Sequence, residues 1–183
     1  MAGLSDAPRN ARCACGAVCF RTEGAPIMTV ACYCHSCQQA ARRLEALPGA
    51  PAMMEADGGT PFVVQRKDRL SCVTGAGHLK EFLLTPQAPT RRVVAACCNS
   101  AMFLEFKNGH WLSLYRNRFD KDDRPAIEMR TMTEDRPAGI DFADDLPSPR
   151  KHAFAFMWKL LTAWVAMGFK APRIDYVKGG VDA

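Results

Sequence analysis

Short apolar runs alternate with turn signals along the first two thirds of the chain. Residues 17–21 and 27–31 predict two short strands, separated by a turn at Glu23-Gly24. The following runs are rich in β-branched and aromatic residues and predict a meandering antiparallel sheet; they span residues 62–65, 70–74, 79–84, 92–96, 102–106 and 111–115. The pattern therefore predicts a mainly β protein.

Two segments depart from this pattern and predict helices. Residues 38–47 contain strong helix formers and end at Pro48-Gly49. Residues 152–169 are apolar and aromatic around most of a helix, but the stretch is slightly short for a bilayer and contains Lys159, so we expect no transmembrane span. We expect this helix to dock on the β core or on a second subunit as a homo-oligomer, with lipid-surface attachment as the remaining alternative.

The distribution of charge and proline predicts four parts of the chain. Residues 1–11 are a polar leader, and residues 12–116 form the β domain. In residues 117–151, 16 of 35 residues are charged and four are prolines, which is typical of a solvated linker or loop. Residues 152–183 hold the aromatic helix and a tail.

Composition narrows the function classes. The 183 residues fit one compact domain, and the net charge of +5 comes from basic residues interleaved with acidic ones. A nucleic-acid partner is not expected, because no concentrated basic stripe is present. The first ten residues contain no apolar run, so we expect no secretory signal and a reducing, cytoplasmic location. There, clustered cysteines favour metal ligation over disulfides.

Seven of the nine cysteines lie in three short segments. Side chains at i and i+2 of an extended segment project to one face, so each C-x-C can present two sulfurs to one metal. The isolated Cys19 and Cys72 are instead interpreted as small apolar residues within strands. The clustered cysteines are Cys13 and Cys15, then Cys32, Cys34 and Cys37, then Cys97 and Cys98.

Ligand number separates these segments into two kinds of zinc site. Structural zinc takes four protein donors, whereas catalytic zinc keeps three and an open position, which the CxCxxC triplet at residues 32–37 fits. Cys13 and Cys15 need a distant partner, for which Cys97 and Cys98 are the candidates. Adjacent strand residues point to opposite faces, so both can reach one ion only if the chain turns at Asn99-Ser100. Otherwise one is a spectator, and Cys98 is the preferred ligand.

Polar residues near the triplet allow two interpretations each. His35 lies between two candidate ligands and is either a general acid or base or a solvent-facing residue. Arg42 and Arg43 follow on the predicted helix and could attract an anionic thiol such as glutathione, or could form a solvated helix face. For both, the solvent-facing interpretation is favoured.

These motifs resemble those of a known family. CACGAVCF at residues 13–20, CYCHSC at 32–37 and a cysteine turn before Met102-Phe103 are similar to the glutathione-dependent formaldehyde-activating enzymes, which are related to centromere protein V. The resemblance spans residues 12–106 and implies a β-tent fold with two zinc ions and carbon–sulfur lyase activity on glutathione adducts. It implies a structural ion at Cys13, Cys15 and Cys98, and a catalytic ion at Cys32, Cys34 and Cys37.

The third cysteine segment departs from that family. Ala95 stands where the family has the first cysteine of a C-x-x-C, and the additional Cys97 beside Cys98 is its candidate substitute. The doubled cysteine and the aromatic C-terminal helix are closer to a bacterial branch for which no reaction can be assumed. Alternatives to a thiol-handling enzyme are a non-catalytic, zinc-stapled interaction module and an iron–sulfur protein, the latter disfavoured by the C-x-C spacing.

Overall fold

The computed structural model describes residues 6–181 and 183, so residues 1–5 of the predicted leader lie outside the described residues. Within that part of the chain, no helix combines the length and apolar character that crossing a membrane requires. The helices are α1 (His35–Leu44) and α2 (Phe154–Ala166). The strands are β1 (Arg9–Arg12), β2 (Cys19–Thr22), β3 (Met28–Cys32), β4 (Thr60–Arg66), β5 (Leu70–Thr74), β6 (Leu79–Phe82), β7 (Thr90–Ala95), β8 (Ser100–Phe106), β9 (Trp111–Tyr115) and β10 (Met129–Thr131).

The strands form two sheets, which confirms the mainly β class with a helix near Cys37 and a C-terminal helix. The large sheet has the order β10-β3-β4-β9-β8-β7-β6, and the small one β1-β2-β5. All pairs are antiparallel except β10 with β3. Helix α1 begins at His35, earlier than the predicted start at residue 38, so Cys37 lies in its first turn rather than before it.

Each face of the large sheet carries its own hydrophobic core. Alternation along β4 places Phe62 and Val64 on one face and Val63 on the other. The first face packs against α1 and α2 and includes Cys32 and Cys37. The second face packs against the small sheet and includes Cys13. The sheet thus separates the two groups of cysteines.

The charged segment 117–151 is mostly irregular, but it attaches to the start of α1. The sequence did not predict β10, which pairs in parallel with β3. The Tyr33 amide donates to the Thr131 carbonyl at 3.0 Å, and the His35 amide donates to Asp135 Oδ2 at 3.2 Å. The assignment of this segment as a linker or loop stays a prediction. Its hydrogen bonds to Tyr33 and His35 hold the loop that carries Cys34 in place.

Helix α2 docks on the first face of the large sheet. This is the first of the two docking alternatives predicted, namely packing on the β core. Phe156 and Leu160 are buried there. His110 Nε2 donates to the Leu160 carbonyl at 2.9 Å, and the His110 ring stacks on Trp164 at 5.6 Å between centroids. His110 therefore anchors the helix, while packing on a second subunit stays a prediction.

We expect acidification to loosen α2. Burial lowers the pKa of His110 below its ordinary 6.5; the hydrogen bond to Leu160 opposes this shift, but the nearby Lys67 and Arg66 charges add to it. The neutral ring is thus favoured in the docked state, so docking loses free energy as the pH falls below about 6.5 toward the lowered value. Proteolysis within α2, measured relative to an unfolded peptide, should accelerate on acidification.

The matched variant is His110→Gln, whose amide can still donate to the Leu160 carbonyl but does not titrate. Its proteolysis rate should not respond to pH in this range. Equal acceleration in the variant and the wild type would contradict the role given to His110.

Candidate metal centres

Four cysteines from two distant segments meet at one edge of the fold. Cys13 Sγ lies 3.6 Å from Cys15 Sγ and 3.9 Å from Cys97 Sγ. Cys15 and Cys97 are separated by 3.5 Å, and Cys97 and Cys98 by 4.0 Å. All four sulfurs lie within 4.8 Å of one another and could hold a metal ion. Both members of the doubled cysteine are therefore brought to the cluster.

Two turns create this convergence. Between Cys13 and Val18 the chain reverses through Gly16, whose φ is +79°, and the Val18 amide donates to Cys13 Sγ at 3.2 Å. The second turn ends at Asn99 with φ of +52°, so adjacent cysteines can face one point. The Ala14 amide donates to Ser100 Oγ at 3.0 Å and ties the turns together.

The geometry and acidity of this cluster suit a tetrahedral thiolate site. Four sulfurs at about 2.3 Å from a central zinc would be about 3.8 Å apart, close to the separations observed. Burial opposes ionisation of Cys98, but hydrogen bonds from Ser100 and the neighbouring cysteines prevail and lower its pKa to about 6. One thiolate is therefore available near neutral pH.

The second cluster is formed by three cysteines around the β3–α1 junction. Cys32 ends β3, Cys34 immediately precedes α1, and Cys37 lies in the first helical turn. The Cys37 amide donates to the Cys34 carbonyl at 3.0 Å, which folds the six-residue segment back on itself. The three sulfurs lie within 4.8 Å of one another and could hold a metal. This triad supplies one donor fewer than a tetrahedron requires.

Negative charge in the triad concentrates on its middle member. Hydrogen bonds from Cys32 and Cys37 lower the pKa of the Cys34 thiol to about 2. The hydrogen bond with Cys34 is also the largest cause of the raised pKa of the Cys32 thiol, which acts as the donor. For Cys37, the hydrogen bond with Cys32 lowers the pKa, but Cys34 and burial outweigh it and raise the value to about 12. The triad thus favours an anion at the helix start.

A buried arginine lies beside the triad. Arg92 is 0% exposed and its Nη2 donates at 3.0 Å to the carbonyl of Ser36, which lies between Cys34 and Cys37. Its Nε has no hydrogen-bond partner, and among the described residues no carboxylate pairs with it. A buried cation normally needs a counter-charge. Three thiolates around a divalent ion carry a net charge of −1, which Arg92 would balance.

The triad opens onto a mostly apolar cavity of about 250 Å³. Helix α2 forms one wall through Phe156, Met157 and Leu160, and strands β4, β8 and β9 form the others. The polar groups are few; His152, which is exposed, also lines the cavity, with its Nδ1 3.0 Å from Thr131 Oγ1. A small molecule in this cavity would touch the sulfurs directly.

The other residues singled out from the sequence are not members of either cysteine cluster. His35 is 82% exposed and its Nδ1 lies 2.9 Å from Asp135 Oδ2, as a solvent-facing residue would. Arg42 is exposed, and Arg43 donates to the Ala183 carbonyl and covers the Phe82 ring. Cys19 is buried and Cys72 half-buried, outside both clusters.

Sequence reasoning missed Arg92, His152 and the cavity. A signal for Arg92 was present, because alternation in the strand TRRVVA puts Arg92 on the same face as the buried Val94. An arginine at an inward position of an apolar strand indicates a buried anion. For His152 no comparable signal exists, because its place depends on how α2 docks.

Comparison with known proteins identifies a family for this sequence. The sequence model of a family described as glutathione-dependent formaldehyde-activating enzyme matches residues 8–131, which include all seven clustered cysteines. No curated protein matches. A crystal structure of a Rhodobacter sphaeroides protein is similar at 14% identity and a TM-score of 0.45, covering 64% of this chain and 96% of that one. Because the family match spans well over half of the sequence, the chain belongs to the glutathione-dependent formaldehyde-activating enzyme family.

Proposed function

We propose that the chain is a cytoplasmic zinc enzyme that forms or breaks a carbon–sulfur bond in a thiol adduct at the cluster of Cys32, Cys34 and Cys37. The observation that carries the proposal is that this triad is one donor short of a tetrahedron and opens onto a cavity. Zinc sites with three protein ligands leave their fourth position to water or substrate. A substrate sulfur is the donor that matches the three already present.

The donor sets support zinc at both clusters. All-sulfur ligation favours zinc, copper(I) or iron–sulfur clusters over hard cations such as magnesium or calcium. Sulfur separations of 3.5–4.0 Å in the four-cysteine cluster fit a single zinc ion. Because Cys13, Cys15, Cys97 and Cys98 fill all four positions, we assign that ion a structural role, with Cys97 completing the set.

The proposed reaction is the addition of a thiol to an aldehyde and its reversal. The sulfur forms a bond to the carbonyl carbon, the π electron pair moves to oxygen, and the oxygen takes the proton that the thiol has lost. Zinc, when bound, would supply Lewis acidity and lower the pKa of the thiol. The cavity walls are mostly apolar, and His152 with Thr131 provides a polar pair that can hold the proton near the oxygen.

The lining of the cavity supports an apolar substituent on the adduct. Glutathione carries charged ends, yet the residues that line the cavity include no lysine or arginine. A glutathione adduct would therefore place its carbon–sulfur bond at the triad and leave its charged ends outside. The aromatic and aliphatic walls, including Phe62 and Trp111, favour a small apolar aldehyde in its free carbonyl form over its hydrate, which carries two hydroxyl groups.

The test combines metal content with turnover. We expect two zinc ions per wild-type chain, and one in Cys37→Ser with the melting temperature largely kept. Adduct formation between glutathione and a small aldehyde, followed by NMR, should exceed the uncatalysed rate in the wild type but not in Cys37→Ser. Cys72→Ser, which lies outside both clusters, should match the wild type in metal content and rate.

A non-catalytic module, stapled by zinc, is the second candidate, because α2 exposes a large apolar face. It predicts two ions or one, but no rate above background with any thiol and aldehyde pair. A single ion that does not respond to added thiols would contradict the enzyme proposal and favour the module.

A further inference from the structure

The outer face of α2 is apolar and uncovered. On its inner face Phe156 and Leu160 are buried, whereas Phe154 is 80% exposed and Trp158 54% exposed on the outside. A surface helix normally turns charged residues outward, and contiguous exposed apolar patches mark interaction sites. The exposed apolar side chains of this outer face are Phe154, Met157, Trp158, Leu161, Trp164 and Val165, with Phe169 just beyond the helix.

The charged residues within the segment that carries this face have one sign. Residues 147–173 contain five lysines and arginines and no aspartate or glutamate. Lys159 is neutralised by Glu128 at 3.1 Å, but Lys151 before the helix and Lys170 after it are exposed. Arg150 is 84% exposed, with only a loose 3.9 Å contact to Glu134. Cations therefore flank the aromatic face at both ends.

We propose that the outer face of α2 binds the surface of a membrane that contains anionic lipids. Tryptophan and phenylalanine side chains beside lysine and arginine are typical of helices that lie in the membrane interface. Apolar side chains enter the acyl boundary while basic residues meet lipid headgroups. Charge complementarity favours this occupant over a second copy, because a pair of such helices would oppose cations with no acidic residue in the segment to pair with them.

The arrangement also joins this surface to the cavity. Met157 is half exposed on the outer side of α2 and also lines the cavity. The bound membrane would therefore lie against the helix that forms one wall of the cavity beside the triad. This contact is independent of the proposed chemistry, since it depends only on α2 and its flanking residues.

The test uses the full, metal-loaded chain and vesicles of phosphatidylcholine, with or without phosphatidylglycerol. We expect the chain to float with vesicles that contain phosphatidylglycerol and its tryptophan emission to shift to shorter wavelength. Trp158→Ser should weaken vesicle binding roughly tenfold or more, because a large apolar side chain no longer enters the lipid. Lys151→Gln and Lys170→Gln should each weaken it roughly fivefold, and only toward anionic vesicles.

Val73→Ser is the matched control, since Val73 is 55% exposed on β5 and away from α2. It should bind vesicles like the wild type, and all variants should keep the wild-type melting temperature. Absence of flotation with anionic vesicles would overturn the proposal. So would a wild-type dimer in light scattering that dissociates in Trp158→Ser, because the face would then belong to a second copy.

Discussion

Replacing Cys15 with serine should strongly destabilise the protein, although Cys15 is exposed. A surface substitution away from special features usually changes the free energy of unfolding by less than about 0.5 kcal/mol. Structural zinc, however, contributes about 10–16 kcal/mol in zinc-finger peptides, as much as the whole stability of a typical domain. Loss of one ligand should therefore cost several kcal/mol and lower the melting temperature by about 10 °C or more.

Two measurements isolate the metal as the cause. Cys72→Ser changes a half-buried cysteine outside both clusters and should shift the melting temperature little. A chelator should lower the wild-type melting temperature toward that of Cys15→Ser while affecting the variant much less. If Cys15→Ser melts like the wild type, the four-cysteine cluster does not hold a structural ion.

Arg92→Met should weaken metal binding at the triad by about 10–100-fold, the usual range for changes to the groups that support metal ligands. Arg92 is fully buried, and its Nη2 donates to the carbonyl of Ser36, which lies between Cys34 and Cys37. Methionine can fill the space but leaves the negative charge of the thiolates uncompensated in a low-dielectric site. Titration with a competing chelator should release the metal ion of the triad at a lower chelator concentration in Arg92→Met than in the wild type.

Arg91→Met is the control from the same strand. Arg91 alternates to the opposite face and pairs with Glu105 at 2.7 Å. Loss of the Arg91 side chain should lower the free energy of unfolding modestly. It should leave the release of metal from the triad and from the four-cysteine cluster unchanged. Equal metal affinity in Arg92→Met and the wild type would mean that Arg92 has no electrostatic role at the triad.

Local signals were sufficient to predict the strands that carry the cysteines. The apolar runs at 70–74 and 111–115 coincide with β5 and β9, because turn residues bound them on both sides. In each C-x-C motif, the prediction that both sulfurs reach one metal followed only from the alternation of side chains between the two faces of an extended segment. The turn at Asn99 that brings Cys97 and Cys98 together was predicted as an alternative, since asparagine tolerates positive φ.

Contacts between distant segments could not be predicted in this way. The three residues of β10 have no pattern of their own and form a strand only because β3 lies beside them. The Asp135 carboxylate accepts from the His35 amide across 100 positions of sequence. The cavity likewise depends on where α2 docks, and helical periodicity cannot specify that when apolar residues cover most of the helix.

A metal ion at each cluster would close loops of very different size, and this difference would set the order of metal capture during synthesis. The triad closes six residues, whereas Cys13 and Cys97 are 84 positions apart. Chain entropy favours the shorter loop by about 2 kcal/mol. At ribosomal speeds, about 3–12 s of elongation separate the emergence of Cys37 from that of Cys97. A nascent chain would thus complete the three-cysteine triad, and could offer it to a metal ion, while half of the four-cysteine cluster has not yet been synthesised.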